Sequence, residues 1–198
     1  SAQVAELGLQ NGRLDNAQLA SLLSRIADNT RRANQLIERI SRFVRPSALM
    51  LRRVDLNEVV REALALSEGS FKSAHINARI RYAPFPVVVK GDALQLSQVA
   101  LNLIRNGIEA TEGRSPREIN VDCFPQDAHG VIRVRDNGAG FQAETLDQLG
   151  SAFFTTKPSG MGMGLAICQA ITRQHAGRLL FLDTEGQGAQ VELVLPLA

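Results

Sequence analysis

The chain is short of the residues that would announce several common chemistries. Cysteine occurs only as Cys123 and Cys168, far apart and without Cys-x-x-Cys or histidine-rich spacing. Neither a disulfide framework nor a thiolate metal site is expected, and both thiols are read as free in a reducing compartment. No apolar run approaches the ~18 residues that a membrane-spanning helix requires, and no signal-peptide pattern opens the sequence. The formal net charge is only +2, which argues against a dedicated nucleic-acid binder. There is no Gly-Lys-Ser/Thr, so the phosphate loop of the P-loop enzymes is excluded. Lysine is rare: only Lys72, Lys90 and Lys157 occur, and every other basic side chain is arginine.

What is present is ordinary globular material, with hydrophobic content of 44% and charged content of 21% over 198 residues. That is enough chain for one domain with its own core plus an appendage. The arginines are uneven. Arg31, Arg32, Arg39, Arg42, Arg45, Arg52 and Arg53 crowd one short region, which is either a solvated helix face or a docking surface for an acidic partner.

Two regions differ in hydrophobic period. Leu19, Leu22, Ile26, Asn29, Ala33, Leu36, Ile40 and Phe43 recur at alternating steps of three and four, the seam of a coiled coil or helical bundle. Asn29 is its one polar member, and Pro46 ends the helix. With the turn signal at Asn11-Gly12 and helical sequence before it, residues 1–47 are expected to form a partial helical hairpin that pairs with a second copy as a dimeric four-helix bundle.

Residues 48–198 alternate between helix and strand. Asp55 and Glu58 suggest a capping box opening a helix to about Ser67. "HINARIRYA" and "FPVVVKGD" read as strands, and a long helix follows with Asp92 as its cap. "REINVDCF" and "GVIRVRDNG" alternate as strands, a helix runs from near Gly164 to near Gly177, and "RLLFLD" and "AQVELVLPL" close the chain. The pattern predicts a two-layer α/β sandwich, a mixed sheet with helices on one face.

The stretch "SGMGMGL" places Gly160, Gly162 and Gly164 at every second position and runs into a helix. Glycine admits close backbone approach, and exposed N–H groups at a helix start favour an anion such as a polyphosphate. The GxGxG spacing late in the chain is not the GxGxxG of a dinucleotide-binding first strand. In "NLIRNGIEA", Asn102 and Asn106 lie four apart on one helix face, and amide oxygens suit a Mg²⁺ ion already carrying phosphates and waters. "DNGAG" ends an apolar strand with Asp136, and its Asp-Asn-Gly is also strong turn chemistry. "FFTTK" offers Thr156 and the isolated Lys157 just before the glycines.

The order of these four pieces resembles the ATP-binding domain of sensor histidine kinases, in the GHKL superfamily shared with DNA gyrase and the ninety-kilodalton heat-shock chaperone. "NLIRNGIEA" looks like the N box, "DNGAG" the first glycine box, "FFTTK" the F box and "SGMGMGL" the second glycine box, while "GQGAQVELVLP" is similar to the last segment. The resemblance covers about residues 52–198. The upstream "RISRFVRP…VDLNEVVREAL" looks like the second helix of a dimerisation and histidine-phosphotransfer hairpin, in the style of the PAS-linked, oxygen-sensing nitrogen-fixation kinases.

The resemblance implies an ATP-binding sandwich of the Bergerat type and a set of roles. Asp136 would accept from the exocyclic amine of adenine, with Gly138 and Gly140 forming the turn beside it. Asn106 would ligate Mg²⁺, with Asn102 lining the same phosphate pocket. Thr156 and Lys157 would approach the phosphates from a lid that Gly160, Gly162 and Gly164 allow to fold over, with Leu165 at the following helix start. The superfamily's hydrolases are known for a glutamate one turn before the magnesium asparagine. Here that position is Asn102, and an amide is no general base near neutral pH. Glu109 departs from kinases that carry a basic residue there.

The family's phosphoacceptor, a histidine followed by an acidic residue and proline, does not occur: His75, His129 and His175 lack that context, and the last two are expected to be structural. The acceptor helix is therefore expected upstream of residue 1. The leading expectation is the catalytic core of a two-component kinase that moves the ATP γ-phosphate to a histidine and onward to a response-regulator aspartate. The expected partners are ATP or ADP, a second copy of the chain and a receiver domain, with no nucleic acid. The location is expected to be cytoplasmic, the parent protein being either free or membrane-anchored. The alternative is a nucleotide-gated interaction module that binds ATP without chemistry.

Overall fold

Seven strands and three helices follow one another among the described residues of the computed structural model, which are 50–141, 148–151, 154–155, 162–184 and 188–198. They fall within one unit, Leu49–Ala198. The expected helical hairpin, together with Thr156, Lys157 and Gly160, lies outside the described residues.

The strands are β1 (Arg52–Asp55), β2 (Ile76–Arg81), β3 (Val88–Gly91), β4 (Arg117–Gln126), β5 (His129–Asp136), β6 (Arg178–Asp183) and β7 (Ala189–Pro196); the helices are α1 (Leu56–Ser73), α2 (Ala93–Ala110) and α3 (Gly164–Gln174). Five strands form one mixed sheet in the order β2-β4-β5-β7-β6. Only β2 and β4 run parallel, and α2 lies on the connection between them. β1 and β3 pair antiparallel as a separate ribbon, joined to the chain end through Val89 and Leu197.

The period-two alternation divides the sheet into two faces. Ile119, Val121 and Cys123 of β4 stand beside Val134 and Ile132 of β5, and Leu193 and Leu195 of β7 continue the row in the core. The helices cover this face. On α2, Leu96, Val99, Ala100, Leu103, Ile104, Gly107 and Ile108 are buried, the three-and-four spacing of an amphipathic stripe. Each large side chain taken from water there contributes about 1.5–3 kcal/mol. α1 packs on one flank of α2 and α3 on the other.

The other face carries a charged row. Asp122 lies opposite Arg133, and Arg133 opposite Glu192. Arg81 Nε donates to Asp122 at 2.6 Å, and Arg133 Nε donates to Glu192 at 2.7 Å while its guanidinium stacks on Phe124 at 4.6 Å. Opposite charges alternate across the strands and stabilise this face.

Two local expectations change. α1 extends to Ser73 rather than stopping near Ser67. The capping box is not reciprocal: Asp55 accepts from the Asn57 N–H at 3.0 Å and from the Val87 N–H at 3.0 Å, while Glu58 pairs with Arg61. Asp55 also ends β1, paired with Val88, so its carboxylate ties a strand ribbon and a helix start together.

Candidate functional site

The two Asn-Gly and Asp-Asn-Gly stretches meet at the C-terminal end of α2 and the end of β5. Asp136 is the last residue of β5, on the helix-facing side in line with Ile132 and Val134, and only 7% exposed. A buried carboxylate needs donors. Oδ1 accepts from the Gly138 N–H at 2.8 Å and from the Ala189 N–H at 3.3 Å. Its turn is therefore closed by its own side chain, the chemistry the Asp-Asn-Gly sequence predicted, and is also bound to the start of β7.

Glycines surround this carboxylate because backbone approaches on every side. A Cβ on Gly107 of α2 would sit 3.6 Å from the Asp136 Cβ and 3.8 Å from Oδ2. A Cβ on Gly138 would overlap the Ala110 carbonyl at the end of α2, and one on Gly188 would overlap the Asp136 carbonyl itself. Gly140, with φ +78°, lies against Gly188 in turn. Gly138 and Gly140 were expected here. Gly107 and Gly188 were not assigned, although both lie within stretches whose likeness to the family was noted.

Three polar side chains hold the surroundings. Asn137 accepts from the Glu118 N–H at 2.9 Å and donates to the Pro116 carbonyl at 2.8 Å, tying the turn to the start of β4. Arg114 donates to the Gly138 carbonyl at 2.9 Å. Arg117 donates to the Ile108 carbonyl at 2.7 Å and to Thr111 Oγ1 at 3.2 Å, satisfying the carbonyl end of α2. None of the three stands out along the sequence, because their partners belong to other elements and are mostly backbone groups.

Asn102 and Asn106 are both half-buried, as their spacing on one helix requires. Asn106 immediately precedes Gly107 on α2, the glycine that lies against Asp136. Asn102 meets α3 instead. Its amide lies near enough to the Cys168 thiol to lower that thiol's pKa, partly offsetting the burial that pushes it up to about 12. Glu109 lies on the exposed side in an ion pair with Arg105 at 3.1 Å.

The start of α3 carries no side-chain cap: Met163 at the cap position makes no side-chain hydrogen bond to the helix, and among the described residues outside its own turn no atom lies within 4 Å of a Cβ built on Gly164. Gly162 has φ +65°, a conformation that favours glycine. Leu165 and Met163 pack against the core and anchor the turn. An eleven-residue helix whose first N–H groups lack a side-chain cap can receive an anion. Gln169 of the same helix donates to the Leu149 carbonyl at 3.2 Å, against Gly150 with φ +83°. That contact ties the loop between β5 and α3 to the helix.

His175 has a structural position. Nδ1 donates to the Ile171 carbonyl at 2.8 Å, and Nε2 accepts the Asp92 N–H at 2.9 Å, joining the end of α3 to the start of α2. His75 is exposed and His129 half-buried at the start of β5. Among the described residues no cluster of metal-ligating side chains occurs, and no helix is long and apolar enough to cross a membrane.

This geometry has close parallels. Residues 91–198 match the family model described as histidine kinase-, DNA gyrase B- and HSP90-like ATPase. The sensor protein FixL of Bradyrhizobium diazoefficiens is 34% identical over 182 residues, covering 91% of this chain and 36% of that protein. The sensor histidine kinase ZraS of Escherichia coli K12 is 33% identical over 180 residues, covering 91% of this chain and 38% of its own length. The chain therefore spans little more than a third of these relatives. Among solved structures, the nucleotide-free catalytic domain of histidine kinase ThkA superposes with a TM-score of 0.67 at 27% identity, covering 74% of this chain and 95% of that domain. The five-stranded mixed sheet is thus that of the GHKL ATP-binding fold, and the chain belongs to the histidine kinase-, DNA gyrase B- and HSP90-like ATPase family.

Proposed function

We propose that this chain is the Mg-ATP-binding catalytic portion of a sensor histidine kinase. The observation that carries the reading is the buried Asp136 carboxylate, held by the Gly138 and Ala189 amides on the helix-facing side of β5 and lying against Gly107, the residue after Asn106 in α2. An acceptor fixed in this way suits the exocyclic amine of adenine and disfavours guanine, which presents a carbonyl there.

The uncapped start of α3 supports the other end of the reading. Its N–H groups would receive the phosphates, and Gly160, Gly162, Lys157 and Thr156 are proposed to serve in a lid over them. Asn106 would hold the Mg²⁺ ion, which when bound neutralises charge on the phosphates. Asn102 would line the same pocket, and its amide cannot take a proton from water, which favours transfer over hydrolysis.

In the whole protein the γ-phosphate would pass to a histidine ring nitrogen with release of ADP, then to a response-regulator aspartate. The acceptor, the pairing of two copies through residues 1–47 and the receiver domain belong to this proposal, as does a cytoplasmic position for the catalytic portion. The boundary between the hairpin and the ATP-binding domain is placed near residue 48.

Thermal denaturation with and without Mg-ATP tests the binding step. At about a hundred times the dissociation constant the nucleotide should add ~2.7 kcal/mol, and an unchanged melting temperature would end the proposal. An acceptor hairpin with its histidine, supplied in trans with labelled ATP, tests the transfer. Acid-labile, base-stable phosphate on the hairpin is expected, and an unlabelled hairpin alongside a normal thermal shift would mark a binding module without transfer. The chain alone should not label itself, because its three histidines lack the acceptor context.

A further inference from the structure

A second concavity lies on the β1–β3 ribbon, built from parts the nucleotide site does not use. It encloses about 570 Å³ between the ribbon, the end of β7 and the C-terminal end of α3. Leu51, Pro196 and Leu197 give it an apolar floor, and Arg52, Arg53 and Lys90 stand on its rim. Leu51 and Leu197 are each 38% exposed, and the neighbouring Met50 is 56% exposed.

The rim is cationic, and its cations are unpaired among the described residues. Arg53 and Lys90 are direct cross-strand partners in the antiparallel ladder, so two cations face one another where like charges destabilise a sheet. The ion pairs of the described residues join Arg61 to Glu58, Lys72 to Glu68, Arg81 to Asp122, Arg105 to Glu109 and Arg133 to Glu192. None involves Arg52, Arg53 or Lys90, and no side-chain hydrogen bond holds them among the described residues. Elsewhere this chain alternates its strand charges, as in the row from Arg81 to Glu192. Arg52, Arg53 and Lys90 thus stand unpaired around an apolar groove, available to carboxylates of a partner, and the Ala198 carboxylate at its edge makes no ion pair with them among the described residues. The negative end of α3 does not pair them either, because the Ala176 and Gly177 N–H groups already take the Arg173 and Thr172 carbonyls.

We propose that this groove is a docking site for an acidic peptide segment of a partner protein, with an aliphatic side chain on the floor and carboxylates on the Arg52, Arg53 and Lys90 rim. A groove of this volume exceeds a single inorganic anion and matches one or two side chains with their flanking backbone. Its concave, apolar floor favours a protruding segment over a planar bilayer. Lys90, one of three lysines in the chain, stands on this rim, where a flexible point charge can follow a mobile carboxylate.

Fluorescence anisotropy on the full chain tests the proposal, with fluorescein-labelled Glu-Asp-Leu-Leu-Asp-Glu as probe. Its serine-for-leucine and lysine/arginine-for-acid counterparts serve as controls. The acidic leucine peptide should bind, more weakly at 0.5 M than at 0.1 M salt as screening predicts, and each control peptide should bind less. Arg53→Glu combined with Lys90→Glu should weaken it at least about tenfold, since reversed rim charges repel the segment. Leu51→Ser should weaken it through the floor, and Arg79→Glu on β2 should not, with circular dichroism verifying that each variant is folded. Equal binding of the basic peptide, no loss in the double reversal, equal loss in Arg79→Glu, or displacement by Mg-ATP would overturn the proposal. So would binding of phosphatidylserine vesicles without binding of the peptide.

Discussion

Gly188 presses its bare Cα against the main chain of Asp136. The position has φ +99°, and an added Cβ would overlap the Asp136 carbonyl oxygen. The end of β5 and the start of β7 therefore approach more closely than any side chain permits, and the Ala189 N–H comes within reach of Asp136 Oδ1. Gly188→Ala should cost ~2–3 kcal/mol through strain and displacement. For a chain of this size that is a fall of roughly 5–10 °C in melting temperature, measurable by calorimetry, with a weakened nucleotide-dependent shift.

Asp136→Asn separates binding from stability. The amide oxygen can still accept from Gly138 and Ala189, so the unliganded melting temperature should move little. The new N–H₂ then faces a donor on adenine, and the Mg-ATP shift should vanish. Asp136→Ala leaves both buried amides without an acceptor and should cost about 2 kcal/mol even without nucleotide. Equal melting temperatures for the alanine and asparagine variants would contradict this account of the carboxylate.

Replacing His175 probes the junction of α2 and α3. His175→Ala strands the Asp92 N–H and opens a void beside Gly91, where a Cβ, if present, would sit 3.0 Å from the ring. A loss of ~2–4 kcal/mol is expected from the orphaned donor and the cavity together. Urea unfolding checks it, through a lower midpoint at an unchanged slope.

The two thiols impose an alkaline limit. Burial pushes Cys168 and Cys123 from an ordinary 9.0 up to about 12, with the Asp55 carboxylate adding to the effect at Cys123. Between these values the unfolded chain has lost protons that the native chain retains, so the stabilisation is complete below pH 9 and lost as pH rises toward 12. The slope approaches about 1.4 kcal/mol per pH unit for each thiol. Urea midpoints at pH 8 and pH 10.5 should differ accordingly, and Cys168→Ala should flatten the dependence. At pH 8 neither thiol should react with iodoacetamide until the protein unfolds.

Much of this architecture was legible along the chain. The stripe of Leu96, Val99, Leu103 and Ile104 and the cap at Asp92 identify α2 because helical periodicity and capping are local. Alternation identifies β4, β5 and β7 for the same reason, and Asp-Asn-Gly after an apolar run identifies the turn at Asp136. β1 escaped notice. Four residues, Arg-Arg-Val-Asp, carry almost no pattern, and their partner strand begins more than thirty residues later. The capping box read from Asp55 and Glu58 likewise yielded to Val87, a partner local sequence cannot reveal. His175 reads along the chain as a favourable charge at a helix end, and only in the folded molecule as a clasp on the Asp92 amide.

By itself the sequence determined which segments become helix or strand, where they turn, and that the four glycine- and asparagine-bearing stretches occur in the order of an ATP-binding family. These depend on torsional preference and on side-chain spacing within a few residues. Only the tertiary structure decided that Gly107 and Gly188 enclose Asp136, that Asn102 meets Cys168, and that Arg53 confronts Lys90. Such meetings arise when strands distant in sequence pair and a helix packs across them, and the energy of close approach depends on what arrives from elsewhere in the chain.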